Sequence, residues 1–312
     1  MNEHHSVLLT EVINGLQIRP NGIYLDLTIG RGGHASQIYE KLKLGRLLGF
    51  DQDATAIESL QNWQKNRPLA SLHHTNFKHF TEVLNGLGIK KVDGILLDLG
   101  VSSPQFDVPE RGFSYRFDGP LDMRMDQRQS MTAASILATS DIRTLTQYFR
   151  EYADETFAFP IAKAIVNQRV NQPLKTTFEL VNLIKKVKPA KALAKKGHPA
   201  RQVFQALRMA VNQEVEVLKS VLESATSHLG LHGRLAVISF HSGEDRIVKQ
   251  YFQTLTVSQG QRHGPERYLP VPAIAFKKIK PYPILPTEKE MKDNHRSESA
   301  VLRIIERVID EK

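Results

Sequence analysis

Ile23-Tyr24-Leu25-Asp26-Leu27, then Gly30-Arg31-Gly32-Gly33-His34, then Leu47-Leu48-Gly49-Phe50-Asp51: the order of these runs decides the fold. The first reads as a buried strand. The second is a glycine loop, and a helical stretch, Ala35 to Lys43, follows it. The third is a second strand ending in an acid. Strand, glycine loop, helix, strand and acid form the nucleotide-binding half of a doubly wound α/β fold. Glycine lets the backbone adopt φ > 0 and approach a ligand with no Cβ in the way. The acid, about 20 residues past the glycines, is placed for ribose hydroxyls. The loop is Gly-x-Gly-Gly and not Gly-x-Gly-x-x-Gly, so it lacks the spacing that holds a pyrophosphate. It suits a ligand with a ribose and an amino-acid tail, such as S-adenosylmethionine. The competing reading is a plain glycine turn.

Working outward, further apolar runs read as strands. Leu72-His73-His74 leads to Asn76-Phe77, Val92 to Leu97 ends at Asp98, and Gly233 to Phe240 comes much later. Near-continuous apolar runs fit a parallel sheet covered on both faces. Ala273 to Phe276 and Ala300 to Ile305 are candidates for a closing hairpin. The interval from Asp98 to Gly233 far exceeds a crossover and reads as helical. The spacing predicts helices over Asp141–Tyr152 (cap Ser140), Phe157–Val166, Phe178–Val187 (cap Thr176 or Thr177) and Phe204–Leu222. The expectation is a discontinuous α/β domain, 1–105 and 203–312, with a helical domain inserted at 106–202. An insertion after Asp98 would overhang the ligand crevice, which lies at the carboxyl ends of the strands.

The chain has 312 residues, 41% of them hydrophobic, enough for one large domain or two ordinary ones. It has no cysteine, which excludes disulfides and thiolate metal sites and fits a reducing, cytoplasmic setting. The N-terminus lacks the pattern of a signal peptide, and no apolar run approaches roughly 18 residues. Formal net charge is +9, which favours a polyanionic partner. From Leu180 to Gln213 there is no acid, while Lys185, Lys186, Lys188, Lys191, Lys195, Lys196, Arg201 and Arg208 fall there. A solvated helix face normally mixes signs, so this stretch points to phosphate contacts.

Two strand ends carry candidate chemistry. Asp98-Leu99-Gly100-Val101-Ser102-Ser103-Pro104-Gln105 is a loop whose polar groups face the crevice, or else a turn with an Asx cap. Ser239-Phe240-His241-Ser242-Gly243-Glu244-Asp245 offers His241 as a general base. The favoured reading there is a capping box with Ser242 as N-cap and Asp245 three residues on. No metal is expected: His73 and His74 are adjacent in a strand and point to opposite faces. The lone Trp63 reads as packing.

The runs His4-His5-Ser6-Val7-Leu8-Leu9, Gly30 to His34, Gly94 to Gln105, Arg111-Gly112-Phe113-Ser114, Gly119 to Met125, Phe204-Gln205-Ala206-Leu207-Arg208 and Ile238 to Ser242 closely resemble the MraW family of 16S rRNA cytosine-N4 methyltransferases. The resemblance covers nearly the whole chain in order. It implies a class I S-adenosylmethionine-dependent methyltransferase fold, Rossmann-like with a mostly parallel sheet, and an inserted helical domain that recognises RNA. It implies methyl transfer to N4 of a cytidine in the decoding region of 16S rRNA, within the small ribosomal subunit. By matching positions, Gly32, Gly33 and His34 would line the cofactor, Asp51 would bind ribose hydroxyls, Phe77 would lie against adenine, and Asp98 and Gln105 would close the site. His34, Phe77 and Gln105 come from the resemblance alone. It names no catalytic side chain. The chain departs from the family pattern at Gly243, at Asn294-His295-Arg296-Ser297-Glu298-Ser299, where an acid replaces an arginine, and at Phe159-Pro160. Three readings compete: a methyltransferase with another acceptor, a nicotinamide dehydrogenase, and a non-catalytic RNA-binding protein with a nucleotide-binding fold.

Overall fold

The computed structural model describes residues 6–257 and 274–309, and of Ser103 and Pro104 the backbone only. Seven strands form one sheet: β1 Ile23–Asp26, β2 Arg46–Asp51, β3 Ala70–His74, β4 Val92–Asp98, β5 Leu229–Ser239, β6 Phe276–Lys278 and β7 Val301–Arg307. Their order is β3-β2-β1-β4-β5-β7-β6. The first five are parallel, and β7 runs antiparallel between β5 and β6. Every parallel strand ends in a polar residue: Asp26, Asp51, His74, Asp98 or Ser239. The order reverses between β1 and β4, and in such sheets the crevice at that switch takes the ligand. The expected strands all appear, with β6 shifted to Phe276–Lys278; Ala273 lies outside the described residues.

The apolar runs are buried on both faces, as parallel strands require. One face packs Leu25, Leu48, Ile95, Val237 and Phe80. The other packs Tyr24, Leu47, Leu96, Ala236 and Ile38. The helix after the glycine loop, Gly33–Glu40, stops short of Lys43. The carbonyl of Pro20 accepts the N–H groups of Lys43, Leu44 and Gly45, which draws the chain out of the helix.

By compactness the chain divides into two units, Met1–Gly100 with Val217–Lys312, and Val101–Glu216. The second unit is helical and has its own core, built on Leu145, Phe149, Ile161, Ile165, Leu180, Ile184 and Leu207. Thr176 caps the helix Thr177–Val187 through a full capping box with Glu179. Asp141, not Ser140, caps Ile142–Glu151, because its carboxylate reaches the N–H of Thr144 at 2.7 Å. The helix Ala158–Arg169 accommodates Pro160 in its first turn, where a missing N–H costs nothing. The long helix expected over Phe204–Leu222 is broken. It forms Arg201–Asn212 and Glu214–His228, with Gln213 left-handed at φ 51° between them. Asn212 explains the break: buried at the helix end, it accepts from Met125 N–H and donates to the Met123 carbonyl, each at 2.8 Å. The Gly119–Met125 motif is thereby tied to the end of the helix.

The acid-free stretch is not uniform in space. Lys188 is buried, donating to Glu155 at 2.6 Å and to the Pro199 carbonyl at 2.7 Å. Arg208 holds Glu214 in a two-pronged pair at 2.8 and 2.7 Å. These two cations are structural, which corrects their expected place among phosphate contacts. Lys185, Lys186, Lys191, Lys195, Lys196 and Arg201 are exposed. Removing one member of a buried pair strands the other charge in a low dielectric. Glu155→Ala is expected to cost about 3–5 kcal/mol of stability in denaturant unfolding, whereas Lys195→Ala should change it by less than about 0.5 kcal/mol.

Candidate functional site

At the ends of β1 and β2 the crevice is built by carboxylates that take backbone N–H groups. Asp51 accepts from Gly30 N–H at 3.0 Å through one oxygen and from Asp53 N–H at 2.9 Å through the other. The strand-end acid therefore clamps the glycine loop to β2. Asp53 in turn caps the helix Ala54–Lys65. At the end of β1, Asp26 is buried and accepts from Thr28 N–H at 3.2 Å. Thr28 then accepts from Asp98 N–H at 2.7 Å, joining β1 to β4.

Gly32 is left-handed, φ 77°, and a Cβ there would lie 2.9 Å from Leu60. Gly33 has a different reason: a Cβ would overlap the Ser6 hydroxyl. The N-terminal segment is thus packed under the loop. Within the same segment the Val7 carbonyl lies 3.0 Å from His34 Nε2. A carbonyl only accepts, so His34 carries its proton on Nε2. Its Nδ1 then faces Asp98 Oδ2 at 3.6 Å, too long for a hydrogen bond. The other oxygen of Asp98, Oδ1, is buried and has no hydrogen-bond partner among the described residues.

Gly32, Gly33, His34, Asp51 and Asp98 are thus brought together in the first unit. Phe77 opens a short 3-10 turn after β3, half-buried. The turn is tied to the end of β2 through Asn76, which donates to the Gln52 side chain at 2.5 Å. Gln105 belongs to the second unit, where its side-chain oxygen accepts from Ser102 N–H at 3.1 Å. Sequence reasoning passed over Asp26, Thr28 and the Ser6–Val7 backing. An acid inside the apolar run Ile23–Leu27 was the visible signal for Asp26.

At the end of β5 the cap is His241, not Ser242. His241 Nδ1 accepts from Glu244 N–H at 3.3 Å, and Ser242 is the first helical residue. Glu244, buried, reaches back to Phe240 N–H at 2.9 Å. Asp245, expected in the capping box, instead pairs with Arg303 at 2.8 and 2.9 Å. The Ser242–Asp245 box fails because Asp245 is held from β7.

Burial is the main electrostatic fact of the crevice. It pushes the Asp98 carboxyl up to about 8, with the charges of Asp26 and Glu244 adding to the effect. It pushes Asp26 up to about 7 against the Thr28 hydrogen bond, and Asp51 up to about 6 against the N–H groups of Asp53 and Gly30. The same burial lowers His34 to about 4, so the ring is neutral. Clustered carboxyls with an unpartnered oxygen fit a ligand bearing hydroxyls and positive charge, and S-adenosylmethionine has both. Each raised carboxyl binds its proton more tightly folded than unfolded. Stability of the ligand-free protein therefore falls as pH rises from about 4 to about 8. His34 works in the opposite sense, but only below about pH 6.5. Calorimetric melting between about pH 6.5 and 8.5 isolates the carboxyls. The wild-type Tm should decline across that window, and Asp98→Asn should flatten the decline. Parallel curves would mean that Asp98 is already ionised.

Residues 1–308 match the model of the MraW methylase family. A curated relative from Spiroplasma kunkelii, ribosomal RNA small subunit methyltransferase H, is 47% identical over 318 residues, covering 98% of this chain and 99% of the relative. Among solved structures, an rRNA methylase from Streptococcus thermophilus is 10% identical with a TM-score of 0.42, covering 96% of this chain and 95% of its own. An S-adenosylmethionine-dependent O-methyltransferase from Thermotoga maritima is 9% identical with a TM-score of 0.41, covering 100% and 70%. Among the described residues, no helix is long and apolar enough to cross a membrane. A parallel sheet with its switch between β1 and β4 is the class I frame, S-adenosylmethionine is the methyl donor, and the chain belongs to the MraW methylase family.

Proposed function

We propose that the protein methylates N4 of a cytidine in the decoding region of 16S rRNA. The observation that supports methylation of small-subunit rRNA is 47% identity along nearly the full length of a relative named for it, and N4 of a cytidine rests on the motif resemblance. S-adenosylmethionine supplies an electrophilic methyl group, and what remains for the protein is alignment and electrostatics. Gly32 and Gly33 let the loop pack closely on Leu60 and Ser6, and Asp51, held by two N–H groups, would take the ribose hydroxyls with its remaining lone pairs. Phe77, at the end of the neighbouring β3, offers a face to adenine. Asp98, whose carboxyl burial pushes up to about 8, would meet the positive charge of the cofactor, and neutral His34 beside it would add no competing charge. Gln105 lies in the second unit, and its part rests on the motif alone.

Cytosine N4 is a weak nucleophile because its lone pair is delocalised into the ring. With the cofactor bound, N4 would take the methyl group as the sulfonium leaves as a neutral thioether, and the extra proton on N4 would then pass to water. Such a sequence needs no strong base. His241 is consistent with that, since its Nδ1 is committed to Glu244 N–H. A base in folded RNA must first be unstacked, which falls to the RNA-binding surface and not to the cofactor crevice.

Small subunits from cells lacking the modification, incubated with the protein and methyl-labelled cofactor, should take label at one cytidine N4 of the 16S rRNA. Label in a ribosomal protein, or at another rRNA atom, would overturn the reading. Asp51→Ala should weaken cofactor binding in calorimetry by about 1.5–3 kcal/mol, the scale of a hydrogen bond to a charged group.

A further inference from the structure

Four phenylalanines among the described residues of the second unit are exposed, Phe106, Phe117, Phe159 and Phe178, and two of these lie together, Phe117 at 48% and Phe178 at 41% exposure. Thr177 donates its hydroxyl to the Phe117 carbonyl at 2.7 Å, and Phe178 N–H donates to Asp118 between them at 3.1 Å. On the helix Thr177–Val187, Phe178, Asn182 and Lys185 are all exposed and share one face at i, i+4 and i+7. Lys185, at the far end of that face, lies close enough to His198 for its charge to act on the ring, and His198 belongs to a second aromatic pair. Tyr115 and His198 stack with centroids 4.3 Å apart and planes 5° from parallel, and Phe204 meets the Tyr115 ring edge-on at 5.8 Å. Burial first, then the charges of Lys185, Arg116 and Lys188, lowers the pKa of His198, so the ring is an uncharged stacking surface. The acids here are engaged with the backbone: one oxygen of Asp118 takes the Phe178 and Gly119 N–H groups, and one oxygen of Glu179, which lines the neighbouring cleft, takes those of Lys175 and Thr176. That cleft, of about 370 Å³ beside the same helix, is lined in part by the amides of Gln168, Asn171, Gln172 and Asn182, with Lys186.

Exposed rings interleaved with Arg116, Lys185 and Lys186 match the two needs of an unpaired nucleic acid. Bases stack on the rings, and phosphates meet the cations. A duplex would satisfy only the cations, because its bases are already stacked. We infer that the face formed by Phe117, Phe178, Lys185 and the Tyr115–His198 stack is a stacking platform for single-stranded RNA. The inference rests on the rRNA reading above and specifies how that substrate is held. Side-chain amides in the neighbouring cleft can hydrogen-bond the edge of a splayed base.

The test uses the full chain and a fluorescent single-stranded RNA of about 12 nucleotides, within the site size of such surfaces, against a duplex of the same length. Phe117→Ala with Phe178→Ala should weaken single-strand binding at least about fivefold per lost base. The slope of log affinity against log salt should stay unchanged, because phosphate contacts remain. Lys185→Ala should instead reduce that slope by up to about 0.7. Phe117→Tyr with Phe178→Tyr should bind as wild type, and duplex affinity should not respond to the alanine pair. Wild-type affinity in the alanine pair overturns the inference, as does an equal loss for duplex and single strand. Self-association that the alanine pair abolishes in sedimentation also overturns it, since a second copy would then be the occupant. The two readings fail separately. Label at the rRNA cytidine with unaltered binding in the alanine pair removes the platform alone. Aromatic-dependent RNA binding with label elsewhere removes the 16S cytidine alone.

Discussion

The clamp between the Asp51 carboxylate and the N–H groups of Gly30 and Asp53 is the constraint on which the site depends. It fixes the glycine loop against the end of β2 and starts the next helix, which Asp53 caps. An ionisable group does this work in a dry place, and its raised pKa is the consequence. Asp26 repeats the arrangement on β1 by accepting Thr28 N–H, and Asp98 stands across the switch point. Thr28 joins their strands by accepting Asp98 N–H. The result is a crevice rich in carboxyls that hold their protons more tightly than usual. A sulfonium with an α-ammonium group is a ligand that relieves that strain in charge.

The loop also needs support from behind, and the N-terminal segment gives it. Ser6 occupies the space that a side chain at position 33 would need. The Val7 carbonyl fixes the proton of His34 on Nε2. Glu290 accepts the next N–H in line, that of Leu8, at 2.7 Å, so residues distant in sequence hold the segment in place. A short motif near the N-terminus thereby becomes part of the crevice's support.

Much of this was legible in the sequence. Strand, glycine loop and acid are local patterns, and β1, β2 and β4 fall where the apolar runs place them. What depends on distant partners was not. Ser242 reads as a cap from spacing, but Arg303 on β7 claims Asp245 and the cap moves to His241. Ser140 loses its cap to Asp141 because a carboxylate reaches the helix N–H groups from one residue later. Phe204–Leu222 is periodic throughout, yet Asn212 is taken by the backbone of Met123 and Met125 and the helix breaks beyond it. Lys188 counts as a surface charge in the sequence and is a buried partner of Glu155 in the fold. Among the candidate site residues, Gly32, Gly33, Asp51 and Asp98 follow from pattern. His34 and Phe77 needed the family resemblance, since a histidine and a phenylalanine after a strand carry no specific signal.

The most direct measurement is the proton balance of cofactor binding, taken by titration calorimetry near pH 7 in buffers of different ionisation enthalpy. Carboxyls raised to about 6, 7 and 8 in the free crevice are partly protonated at that pH. A cationic ligand favours their charged forms. The account predicts net proton release when S-adenosylmethionine binds, and a smaller release in Asp98→Asn. Binding without proton exchange, or with net uptake, would contradict a crevice built to receive positive charge.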